Sequence, residues 1–159
     1  MTNMKIKTFL GLCLIALTLI GCKQDNWMDW KTQNTLWLNQ NKLDTTIQVL
    51  PSGVQYRIIA DPNPTDAHPS ASSIINCDYT CTLINGMQVD GGQGSLQLSN
   101  CVKGFAEGVK LIHCHGDIEI FVPYDLGYGE NEQGTEGTIP YIPPYSTLIF
   151  KVHLISLIN

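Results

Sequence analysis

Basic charge is scarce in this sequence. The 159 residues hold nine Lys and Arg against 14 Asp and Glu, a formal net charge of −5. That excludes a nucleic-acid groove, which needs clustered cations. Charged residues of either sign reach only 14%, whereas 43% are hydrophobic. Such a composition excludes global disorder and supports one modest domain with a buried core. A long apolar run is also missing. Residues 9–20 are apolar but fall short of the roughly 20 residues of a comfortable membrane span. No internal repeat is visible. Regular zinc spacing is absent too. His113-Cys114-His115 places neighbours on opposite faces of an extended chain, so a turn after a helix is the expected role and no metal is assigned.

What is present begins with a leader. Lys5 and Lys7 precede the apolar run, which ends in Leu-Thr-Leu-Ile-Gly-Cys at residues 17–22. This is the layout of a secretory signal peptide. Gly21 followed by Cys22 resembles a bacterial lipobox, which implies cleavage before Cys22 and lipidation of its thiol. The expected division is a signal peptide over residues 1–21, a polar lead segment over 22–50 and a globular domain over 51–159. Cleavage would remove two lysines and no acid, taking the charge to −7. Attachment to a membrane would then come from acyl chains, at about 0.8 kcal/mol per buried methylene, and not from attraction to anionic headgroups.

In the lead segment Trp27, Trp30, Trp37 and Leu38 stand at partly helical spacing. A short amphipathic helix is expected, either packing on the domain or spacing it from the membrane, with partner binding or dimerisation as the sharper alternative. Pro51-Ser52-Gly53 marks a turn and Val54, Tyr56 and Ile58 alternate as a strand; residues 60–73 read as a loop. The clearest strand follows. Ile75, Cys77, Tyr79, Cys81 and Leu83 share one face, with polar residues between them, and Asn85-Gly86 closes a hairpin. Leu96 and Leu98 suggest a short strand. Residues 101–112 read as a helix from Val102, Phe105, Val109 and Ile112. Ile118, Ile120 and Val122 form a strand ending at Pro123, residues 127–139 a Gly- and Glu-rich loop, and Leu148, Phe150, Val152 and Leu154 the last strand. The expected class is α+β, an antiparallel sheet with one short helix on its face.

Four segments in order resemble the FKBP-type peptidyl-prolyl cis/trans isomerase family, over roughly residues 50–157. They are Leu50-Pro51-Ser52-Gly53-Val54-Gln55-Tyr56; the stretch from Tyr79 to Asp90; Val102-Lys103-Gly104-Phe105-Ala106-Glu107-Gly108-Val109 with Pro123-Tyr124-Asp125-Leu126-Gly127-Tyr128-Gly129; and Ile142-Pro143-Pro144-Tyr145-Ser146-Thr147-Leu148-Ile149-Phe150. Each motif alone is weak; their order and spacing carry the likeness. The resemblance implies a half-wrapped antiparallel sheet around one short helix, with a shallow aromatic pocket between them. It implies catalytic roles for Tyr79, Asp90, Phe105, Tyr128 and Phe150 and substrate contacts from Val89, Cys101, Val102 and Ile142. Tyr128 would offer its hydroxyl, and Val102 its backbone amide, to the bound peptide. The implied partners are proline-containing peptides or unfolded exported proteins in the cell envelope, with no cofactor.

The sequence departs from the family pattern at several of these positions. Val89 stands for a Phe, Phe105 for the usual Trp, Cys101-Val102 for Val-Ile and Cys81 for a Gly, and the Gly91–Ser95 loop looks short. These changes favour a rival reading, a non-catalytic module holding a peptide or protein in the same groove. A structural envelope lipoprotein using residues 27–38 as its contact surface is a third. Beyond Cys22, Cys77, Cys81, Cys101 and Cys114 remain. Cys77 and Cys81 are about 13 Å apart in an extended chain, too far to bridge. Either could pair with Cys101 or Cys114 in an oxidising compartment, or all four could stay as buried thiols.

Overall fold

The computed structural model describes residues 23–158, with side chains from Trp27 onward. The leader and Cys22 lie outside the described residues. The elements run α1 (Lys23–Asn41), β1 (Gln48–Val49), β2 (Gln55–Ala60), β3 (Ile74–Thr82), β4 (Gln88–Gln97), α2 (Lys103–Val109), β5 (Asp117–Val122), β6 (Gln133–Gly134), β7 (Tyr141–Ile142) and β8 (Leu148–Ile158). Single 3₁₀ turns occupy Leu98–Asn100 and Tyr124–Leu126.

Six strands form one sheet in the order β1-β2-β5-β8-β3-β4, every pair antiparallel. The period of two in β3 and β8 explains its two faces. Ile75, Cys77 and Cys81 on β3 and Leu148, Phe150, Val152 and Leu154 on β8 are buried. The residues between them form the wetter face. There Arg57 Nε donates to Glu119 at 2.9 Å and Asp117 accepts from His153 at 2.9 Å, if the ring carries its proton on Nδ1. The β3–β4 turn uses both residues of its signal. Gly86 takes φ +83°, and the Asn85 side chain accepts from the Met87 amide at 3.0 Å.

Helix α2 lies against the buried face through β5. Its two glycines make the approach: a Cβ at Gly104 would stand 2.3 Å from Val122 Cγ1, and one at Gly108 2.6 Å from Ile120 Cδ1. The helix is shorter than the expected 101–112. It stops at Val109, and Lys110 and Leu111 turn the chain so that Ile112 is buried from the turn.

Most of the lead segment is a 19-residue helix, α1, longer than expected, and it packs on the domain. Trp30, Asn34, Trp37, Leu38 and Asn41 fall on one helical face. The Trp30 indole donates to Ser146 Oγ at 2.9 Å, and the Trp37 ring lies 5.8 Å from Phe121. Asn34, 1% exposed, accepts from the Thr147 amide at 2.7 Å and donates to Trp30 O at 2.8 Å. Gln55 donates to Leu38 O and accepts from Asn41, both at 2.9 Å. Lys31 Nζ sits 4.5 Å from the Tyr145 ring centre. The inner face of α1 is polar and aromatic, which is why its apolar periodicity is faint.

Two loops differ from expectation. Gly91–Ser95 is not a loop: β4 runs unbroken for ten residues, and Leu98 lies in the turn after it. Three glycines mask a strand that pairs with β3 chiefly through its backbone. Residues 127–139 contain β6, which returns against β7 as a small separate hairpin.

Candidate active site

Three aromatic rings converge where α2 meets β3 and β8. Phe105 on α2 and Phe150 on β8 meet edge-to-face at 5.0 Å, and Tyr79 on β3 closes the triangle at 6.0 Å from Phe105 and 6.4 Å from Phe150. Such tilted contacts suit the ring quadrupoles. Phe105 and Phe150 are buried, Tyr79 half-buried. Above them opens a cavity of about 220 Å³, walled also by Asp90, Leu96, Asn100, Cys101, Val102 and Tyr128. That is smaller than sites for drug-sized ligands, and it suits one small ring.

The polar groups are held in order. Tyr79 donates its hydroxyl to Asp90 Oδ2 at 2.9 Å, and the Gly91 amide donates to Asp90 Oδ1 at 2.8 Å. Both carboxylate oxygens are thereby oriented. Burial, then the bond to Asp90, pushes the Tyr79 hydroxyl well above the usual tyrosine range. Tyr128 follows the second 3₁₀ turn, at the rim. Burial and the charge of Asp90 raise its pKa as well, and its hydroxyl has no hydrogen-bond partner among the described residues. It is a free donor over the cavity. Behind the rings the thiols of Cys77 and Cys81 are buried. Desolvation, helped by neighbouring charge, pushes them up to about 11 and about 12, and Cys101 shifts the same way. All four described cysteines are free.

Seven of the nine expected pocket residues line this cavity: Tyr79, Asp90, Cys101, Val102, Phe105, Tyr128 and Phe150. Val89 and Ile142 do not. They line an adjoining hollow of about 270 Å³ with Gln133, Gly134 and Pro140, sharing only Asp90 and Tyr128 with the aromatic pocket. The short Val89 side chain is 5% exposed and joins the core, and Ile142 is held on β7 against β6. Leu96 and Asn100 were not expected. Leu96 sits on the same face of β4 as Asp90, a relation visible only once β4 is read as continuous. His113 takes no part here: its amide and ring meet Asp61 at 3.1 and 2.8 Å, and its ring centre lies 3.7 Å from that of His68, the planes tilted by 40°. A wider trough of about 510 Å³ lies on the opposite face of the sheet, among Asp117, Glu119, Lys151 and His153, and has no aromatic convergence.

A half-wrapped antiparallel sheet holding one short helix, with an aromatic pocket at their junction, defines the FKBP-like class of α+β domain. Solved structures agree. FkpA from Escherichia coli superposes with a TM-score of 0.73 at 24% identity, over 84% of this chain and 62% of that one. A peptidyl-prolyl cis-trans isomerase from Pseudomonas syringae pv. tomato gives 0.72 at 17% identity, over 83% of this chain and 96% of that one. The family model for the FKBP-type peptidyl-prolyl cis-trans isomerases matches residues 65–155, and the chain belongs to that family. Among relatives, the outer membrane protein MIP of Legionella longbeachae is 39% identical over 79% of this chain and 53% of its own length. The isomerase Mip of Coxiella burnetii is 32% identical over 76% and 51%. The chain spans about half the length of the curated relatives it matches.

Proposed function

We propose that the chain is a peptidyl-prolyl cis/trans isomerase acting on exported proteins. The observation that carries this is the convergence of Tyr79, Phe105 and Phe150 beneath a free Tyr128 hydroxyl, in a cavity of single-ring size. Rotating a peptide bond costs about 18–20 kcal/mol because conjugation is lost. X-Pro bonds populate both isomers yet exchange over tens to hundreds of seconds. No proton need leave, so no general base is required. The planar amide is more dipolar than the twisted one, and an apolar pocket disfavours it relative to the twisted form. Phe105, Phe150 and Tyr79 would seat the prolyl ring by burial. Tyr128 would donate to the carbonyl beside the rotating bond. Asp90, fixed by Tyr79 and Gly91, would orient the chain around it.

A protease-coupled assay on short X-Pro peptides tests this. Turnover that falls tenfold or more in Phe150→Ala, and severalfold in Tyr128→Phe, is the expected result. No turnover by the wild type, with retained binding of the same peptides, would give the site to the rival peptide-holding module.

We further infer that Cys22 carries the lipid and holds the protein in the cell envelope. Support comes from the charged, apolar and small-residue layout of residues 5–22 and from relatives named as an outer membrane protein and as FkpA. No helix among the described residues is long and apolar enough to cross a membrane. Labelled palmitate entering the wild type and not Cys22→Ser is the expected result.

A further inference from the structure

One wall of the pocket is β4, the edge strand of the sheet, with no further strand beside it among the described residues. Its ten residues include a single charge, Asp90, and no Lys or Pro, two of the devices that stop an edge from pairing; a third, a bulge in the register, is confined to the start of the strand at Gln88–Asp90. Residues opposite one another in an antiparallel pair share a face. The register sets Asp90 against Cys81, Gly92 against Tyr79, Gly94 against Cys77 and Leu96 against Ile75. That row of β4 therefore faces the pocket side, and its two ends, Asp90 and Leu96, wall the pocket. Between them Gly92 and Gly94 carry no side chain, and a Cβ on either would meet nothing within 4 Å. A cleared strip beside a free edge is where a second backbone can approach closely.

We propose that this edge receives the polypeptide flanking the bound proline, which pairs with β4 as an added strand. The proposal rests on reading the pocket as a prolyl site. The occupant follows from continuity: a chain leaving the pocket past Asp90 or Leu96 already lies along β4. Pairing through backbone groups is indifferent to side chains, so such a strip suits unfolded clients of varied sequence.

Three peptides and one variant test it. A four-residue X-Pro peptide spans about 13 Å extended and fills little beyond the pocket. A 12-residue peptide reaches the edge, and an analogue with ester links in place of flanking amides loses the donors that pairing needs. Gly94→Thr puts a side chain on the strip, where the Cβ has room and no left-handed φ stands in the way. The expected result is that the 12-residue peptide binds severalfold more tightly than the short one. The ester analogue and the variant should each lose at least threefold of that gain, with short-peptide turnover unchanged. Hydrogen exchange at residues 91–95 should slow when the long peptide binds. Equal affinity of amide and ester peptides, with no slowing at 91–95, would overturn the proposal. So would an equal loss on both peptide lengths in Gly94→Thr, which would place Gly94 in the pocket. Slow exchange at 91–95 in concentrated protein without peptide would assign the edge to a second copy of the chain, and also overturn it. Absent turnover with exchange still slowed by the long peptide would sink the isomerase reading and leave the edge standing.

Discussion

The Tyr79 hydroxyl and the Asp90 carboxylate are joined at 2.9 Å across the β3–β4 pair, directly above the aromatic floor. Tyr79 therefore has two duties, ring wall and carboxylate clamp, and Phe can replace only the first. In Tyr79→Phe, Asp90 keeps the Gly91 amide and loses its second anchor. We expect kcat/KM on X-Pro peptides to fall roughly 3–10-fold, equivalent to about 0.7–1.4 kcal/mol. Asp90→Ala should fall similarly. The double variant should fall by less than the product of the two, because both singles break one interaction. Multiplicative losses would mean that the bond has no part in turnover.

Titration supplies a second expectation. Tyr79, Cys77 and Cys81 all have pKa values raised by burial, to about 11 for Cys77 and about 12 for Cys81. A raised folded-state pKa means that the unfolded chain loses its proton first. The stability these groups contribute is complete below their unfolded values, 9.0 for the thiols and 10.0 for the tyrosine. It is lost as pH climbs through the folded values. Denaturant midpoints should accordingly be unaffected by these groups up to about pH 8.5 and decline above it. Cys81→Ala should flatten the decline even though it lowers stability at pH 7. An unchanged alkaline slope in that variant would show that the thiol is not desolvated.

How much of this was legible beforehand depends on what carries each element. β3 and β8 declare themselves by alternation, because each has one wet and one buried face. β4 hides, because Gly92 and Gly94 interrupt the side chains on its pocket side; Leu96, read as part of a short strand, was missed as a pocket wall. α1 understates itself for a different reason. Its docking face is Asn34, Asn41 and indole rings, held by hydrogen bonds to Thr147, Gln55 and Ser146 that no hydropathy pattern can register. In the pocket, Tyr79 and Phe150 look like ordinary core residues on their own strands. Family likeness grouped them, and it also drew in Val89 and Ile142, whose short reach leaves them in the neighbouring hollow.

Close packing of α2 gives a stability prediction. Gly108 has no room for a methyl group: the three nearest atoms, at 2.6–2.7 Å, all belong to Ile120, which is fully buried on β5. Ala is the better helix former by about 1 kcal/mol. Overpacking costs typically 1–3 kcal/mol and should win. Gly108→Ala is expected to be net destabilising by about 1–2 kcal/mol in chemical denaturation. Gly108→Ala combined with Ile120→Val should recover part of the loss. A Gly108→Ala variant more stable than wild type would mean that helix and sheet are less tightly apposed than 2.6 Å implies.

The acid limb is set elsewhere, at Asp61. Burial opposes ionisation of this carboxylate, but hydrogen bonds from the His113 ring and amide outweigh that, and its pKa lies below the ordinary value of 3.8. A depressed folded-state pKa contributes stability that is present above the unfolded value and vanishes as pH falls through the folded one. The Asp61 contribution should therefore hold at neutral pH and begin to fall away below about pH 4. The site is remote in the sequence from Tyr79 and Asp90, and it fastens the loop before β3 to the turn after α2. Asp61→Asn should lower the denaturation midpoint at pH 7, and the gap between wild type and variant should narrow as pH falls below about 4. Turnover on short X-Pro peptides at pH 7 should be unchanged at temperatures where both proteins are folded. Parallel wild-type and Asp61→Asn curves from pH 7 to pH 3 would rule out the ionised carboxylate as the source of that stability, leaving only its packing.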